Sequence, residues 1–151
     1  MVKADGQPDK VVVHADVDIP DLAMKLAIDF SQNTDRAEAA SHFVSLTFEL
    51  PPNVAGGEIA SVPGMLMKFS EKSKGVPFAA LATKTAKSSF LVGLFNREDD
   101  RRRNLQLLKE RSWFDIPMVY ATQRRGILAV EKGYRGEQAF RAAMAHWERT
   151  P

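Results

Sequence analysis

Between Val11 and Leu50 the chain alternates apolar and polar residues in three separate stretches. Val11, Val13, Ala15, Val17 and Ile19 fall on one side of the first, with Val12, His14, Asp16 and Asp18 on the other. Leu22, Met24, Leu26, Ile28 and Phe30 repeat the pattern against Ala23, Lys25, Ala27 and Asp29. Val44, Leu46, Phe48 and Leu50 repeat it against Phe43, Ser45, Thr47 and Glu49. Successive side chains on a strand point to opposite faces, so each stretch predicts a strand with one buried and one wet face. That pattern suits antiparallel sheets and excludes the doubly buried parallel sheets of nucleotide-binding enzymes.

A length of 151 residues is that of one domain, able to bury a core without disulfides or metals. Basic and acidic residues nearly cancel, 21 against 19, which argues against a general nucleic-acid binder. Cysteine is absent, which removes thiol nucleophiles and thiolate metal sites. No apolar run approaches the ~20 residues that cross a bilayer, and the polar start lacks the pattern of a signal peptide. Residues 1–9 read as a disordered or appended N-terminal segment, and 10–150 as a single globular β-rich domain.

Pro20-Asp21 predicts a turn between the first two strands, and Pro51-Pro52 a stop after the third. Short alternation at Met65, Met67 and Phe69 predicts another strand, as do Phe78–Thr85 and Ser89–Phe95. A helix is predicted over about 98–111, with Asn96 as its cap, acids leading and Lys109 and Arg111 trailing. Trp113–Ala121 reads as a strand that Pro117 moves to an edge or a bulge, returning through a hairpin to Ile127–Glu131. Phe140, Ala143, Met144 and Trp147 form one apolar stripe on a helix at about 136–148, which should dock on the sheet.

The strongest charge feature is basic. Arg97, Arg101, Arg102, Arg103 and Lys109 lie on or beside the first helix, and Arg124 and Arg125 tip the hairpin. Such residues could hold an acidic protein, an acidic polymer or an anionic lipid surface; a helix surface neutralised by Glu98, Asp99, Asp100 and Glu110 is the plainer account. His14, Asp16 and Asp18 alternate along one face and are the weak candidates for a metal site, against the reading of a solvated sheet face. His42 could be a general base, or a half-buried histidine bonded to the adjoining loop. His146 should be exposed. Trp113-Phe114 could line a pocket or pack under a helix near Trp147. No Gly-x-Ser-x-Gly, P-loop, dinucleotide-binding or His-Glu-x-x-His motif is present, so no cofactor is expected.

Several blocks carry a resemblance: Ser41–Pro52, Gly56–Lys68, Asn104–Pro117, Arg125–Gly133 and Gly136–Phe140. Over about Val11–Trp147 the chain resembles the C-terminal soluble domain of a family of uncharacterised alphaproteobacterial single-pass membrane proteins. The resemblance implies a domain cut from a longer, membrane-anchored protein and facing the periplasm. It implies no activity.

The expected architecture is mainly β: an antiparallel β-sandwich or strongly bent sheet of seven to nine strands, with one short internal helix and a C-terminal docking helix. The expected function is non-catalytic binding or scaffolding. The rival is a metal-dependent or hydrolase-like enzyme using His14, Asp16 and Asp18, or His42. A homodimer formed through an exposed strand, at the Pro117 edge, is a third reading.

Overall fold

The structure, a computed structural model, describes residues 2–3, 11–35, 39–52 and 57–149. Apart from Val2–Lys3, the segment expected to be disordered lies outside the described residues. The strands are β1 (Val2–Lys3), β2 (Val11–Ile19), β3 (Met24–Gln32), β4 (Ala40–Glu49), β5 (Ile59–Ser61) and β6 (Leu66–Lys68). They continue as β7 (Val76–Pro77), β8 (Ala80–Ala86), β9 (Ser89–Phe95), β10 (Trp113–Tyr120) and β11 (Arg125–Glu131). Two helices, α1 (Glu98–Glu110) and α2 (Gly133–Arg149), complete the order. The fold is mainly β, built of two antiparallel sheets as the alternation predicts. The strand count exceeds seven to nine because β1, β5, β6 and β7 are only two or three residues long.

The larger sheet runs β1-β2-β3-β4-β9-β8, and the smaller β11-β10-β6-β7 with β5 also on β10. Register carries the sequence alternation into rows. Val13, Phe30, Val44, Val92 and Ala82 are successive partners across the larger sheet, and all but half-buried Ala82 belong to the core. The second strand begins at Met24, not Leu22: Pro20–Leu22 forms a 3-10 turn and Leu22 is exposed.

Phe30 from the larger sheet, Phe114 from the smaller and Phe140 from α2 meet as a triad, with ring centroids 4.8–5.8 Å apart. Phe114 therefore packs under α2 at Phe140, not at Trp147. The whole predicted stripe of α2 is buried, and Trp147 Nε1 donates to the Val11 carbonyl at 3.1 Å. Among the described residues no helix is long and apolar enough to cross a membrane.

Two local expectations are corrected. Asn96 does not cap α1. Arg97 occupies that position, without a side-chain bond, and the three acids of the first turn face the helix dipole instead. Nor does Pro117 mark an edge, because β10 is central. Tyr120 N–H bonds the Arg124 carbonyl and Lys132 N–H bonds the Ser112 carbonyl. Since bonded pairs alternate along an antiparallel ladder, the pair Pro117–Ile127 is a non-bonded one, and the nitrogen of Pro117 faces away from β11. On that side β6 pairs residues 113–115 and β5 pairs 119–120. Pro117 fills the gap between them, where no donor is needed.

Candidate functional site

Helix geometry divides the basic run. Residues turn by about 100° each, so Arg101 and Arg103 lie about 200° apart around α1. Arg101 comes close enough to His42 to oppose its protonation, which puts it on the flank toward α2. Lys109 lines a cleft with α2. On the other flank Arg103 and Arg111 line a shallow hollow of about 240 Å³ with Val76 and Glu110, and the Arg111 guanidinium stacks 3.8 Å from the Phe69 ring centre. Arg102 is paired with Glu98 at 2.9 Å. Arg124 and Arg125 are at the hairpin tip, about 20 Å along the ladder from the Trp113–Glu131 end. On α1 itself, then, the basic residues face more than one flank of the helix.

His14 sits on the outer face of the larger sheet, directly across from Asp29. Its Nδ1 meets Asp29 Oδ1 at 2.5 Å and its Nε2 meets Asp16 Oδ1 at 3.0 Å. The bond to Asp29, with help from Asp16 and against partial burial, raises its pKa above the ordinary histidine value. Both nitrogens are engaged by carboxylates, and Asp18 lies opposite Lys25. Among the described residues no group of three His, Asp or Glu is placed to hold a metal.

His42 is fully buried, not half-buried, at 5% exposure. The ladder between β4 and β9 slips at Ser41, and His42 turns inward in the same parity as Val44. Its Nδ1 contacts Ser41 Oγ at 2.9 Å, and its ring packs against Trp147 with centroids 5.0 Å apart. Nε2 is buried without a hydrogen-bond partner among the described residues. Burial, then the Arg101 charge, lowers its pKa to about 4. It is a neutral imidazole held in the core, away from any solvent-borne substrate. His146 is half-buried, not exposed.

Lys132 escaped the sequence reading. Its backbone prolongs the β10–β11 ladder to Ser112, and its side chain turns beneath the end of α1. There the ammonium donates to the Leu108 carbonyl and lies 4.8 Å from the Phe140 ring centre and 4.0 Å from Glu137. The lysine thereby satisfies one of the free carbonyls of the last turn of α1. Burial lowers its pKa below the lysine range, and Glu137 opposes that shift. Glycines make the turn possible. Gly133 has φ +69°, and a Cβ on Gly136 would lie 3.0 Å from Lys132 Cβ.

Above Lys132 the helices leave a cleft of about 210 Å³. Lys109 stands on one wall, Arg141 and Glu148 on the other, with Phe140, Met144 and Ala145 supplying apolar surface. Lys109 and Arg141 are exposed, so the cleft offers two solvent-facing cations beside a greasy floor. The legible signal was in α2: Glu137, Arg141, Ala145 and Glu148 share one flank of the helix, beside its apolar stripe.

A second hidden charge pair lies under the turn after β6. Lys68 Nζ is 2.7 Å from Asp115 Oδ1 and donates to the Glu71 carbonyl at 2.6 Å. Lys68 is among the buried residues, so this pair fastens a turn and is closed to ligands. Comparison with protein-family models, with curated proteins and with solved structures finds no match for this chain.

Proposed function

We propose that this domain is a non-catalytic binding module that takes an anionic group bearing a short apolar chain in the cleft between α1 and α2. The observation that carries the reading is the cleft itself: exposed Lys109 and Arg141 flank apolar surface from Phe140, Met144 and Ala145. Two cations fix a carboxylate or phosphate by charge-assisted bonds, and the apolar wall accepts the chain. Ligand sites commonly combine a mainly apolar lining with a few placed polar groups.

The same reading places the domain on the periplasmic side of a membrane, at the end of an anchored chain. Its support is the family resemblance over Val11–Trp147.

Calorimetric titration with octanoate and with octyl phosphate tests the site. Saturable binding that is lost in Lys109→Ala with Arg141→Ala, but kept in Arg124→Ala with Arg125→Ala, is the expected result. Binding that is absent, or indifferent to Lys109 and Arg141, rejects it.

A further inference from the structure

The two sheets end in unequal edges. β8 closes the larger sheet, and although Leu81 is 64% exposed, the edge is guarded. Lys84 lies across from Phe90 with its ammonium 5.9 Å from that ring, reaches the Ile59 carbonyl at 3.5 Å and pairs with Glu58 at 3.6 Å. Inward lysines of this kind block the addition of another strand. β7, at one side of the smaller sheet, is two residues long and contains Pro77. β11, at the other side, has neither lysine nor proline among its seven residues, and among the described residues no strand covers its outer edge.

The ladder alternation says which groups β11 leaves open. Its even-numbered residues exchange bonds with β10, as the flanking Arg124 and Lys132 bonds require. The N–H and C=O of Arg125, Ile127, Ala129 and Glu131 therefore point outward along the edge. The side chains of these same residues are exposed, Ile127 at 66%.

We infer that β11 is a homodimerisation strand, pairing antiparallel with β11 of a second copy about a two-fold axis at Leu128. In that register Arg125 of each chain faces Glu131 of the other, and Ile127 faces Ala129. All four facing pairs join residues with open backbone groups, so the ladder is continuous. Charge complementarity at both ends and an apolar centre select a second copy of this chain over an unrelated strand. Antiparallel pairing of a strand with itself is isologous, so the assembly closes at two subunits. The smaller sheets fuse across the axis into one.

Sedimentation velocity of the full chain, over a concentration series into the millimolar range, reads the equilibrium. A monomer–dimer transition is expected. Arg125→Glu or Glu131→Arg alone places like charges opposite each other twice, and should weaken the dimer by about tenfold. The two substitutions together restore it, and Ala129→Lys abolishes it. Amide exchange on the unsubstituted chain gives a second readout: the Ile127 and Ala129 amides become protected as concentration rises. A monomer throughout, a dimer indifferent to Ala129→Lys, or failure of the double charge reversal to restore pairing would overturn the inference.

Discussion

Asn104 and Ala79 pair as two strands would. The Asn104 side-chain amide donates to the Ala79 carbonyl at 2.9 Å, and the Ala79 N–H donates back to Oδ1 at 2.9 Å. Asn104 is completely buried, so one side chain on α1 satisfies the backbone just before β8. Replacing it with alanine leaves the Ala79 N–H without its partner, while the Ala79 carbonyl keeps the bond from the Phe95 N–H. We predict a loss of about 1–3 kcal/mol for Asn104→Ala, read as a lower urea midpoint. Coincident unfolding curves would remove the clasp from any account of stability.

His42 makes stability depend on pH in one direction. In the folded protein its pKa is about 4, while in the unfolded chain it is about 6.5. As pH falls through that window the unfolded chain takes up a proton that the folded core refuses. Stability should therefore be intact above about pH 6.5 and fall by about 3 kcal/mol on approach to pH 4. Denaturation at a series of pH values checks this, with His42→Leu expected to flatten the slope between 4 and 6.5.

His14 works in the opposite sense. Its folded pKa is raised, chiefly by the bond to Asp29, so its contribution is present below the unfolded value and disappears as pH rises through the folded one. Imidazole NMR titration should place His14 above the ordinary value, and Asp29→Asn should bring it back down. A His14 that titrates unchanged in that variant would show that Asp29 does not hold it.

The Lys68–Asp115 pair should show the asymmetry of buried ions. Asp115→Asn leaves the Lys68 ammonium beneath its turn without a counter-charge, and a loss of about 3–5 kcal/mol is expected. Lys68→Met combined with Asp115→Leu removes both charges and should recover most of it. Chemical denaturation of Lys68→Met, of Asp115→Leu and of the double completes the cycle; additive losses would mean the pair is not coupled.

The parts of the fold that announce themselves in the chain are those where one residue's environment follows from its neighbours in sequence. The alternation of Val11–Ile19 and Val44–Leu50 and the stripe of Phe140, Ala143, Met144 and Trp147 are of this kind, since a strand or helix with one wet face must repeat. What stayed hidden depends on partners far along the chain. Pro117 reads as an edge residue until β5 and β6 are seen to leave a gap beside it. Nothing beside Lys68 or Lys132 in sequence marks either as buried, yet each is drawn inward by a carbonyl, that of Glu71 or Leu108. The basic cluster is contiguous in sequence and divided in space, because a helix turns consecutive arginines to different flanks. In the cleft, Lys109 was legible as a cation, while Arg141 became a candidate only once α2 was seen to lie beside α1.

The bond from Trp147 to the Val11 carbonyl joins residues 136 positions apart. During synthesis, therefore, β2 can pair with β3 long before the tryptophan that covers its first residue has left the ribosome. Until that moment Phe30 and Phe114 lack the Phe140 ring that completes their cluster. The core can therefore close over them only after α2 has emerged.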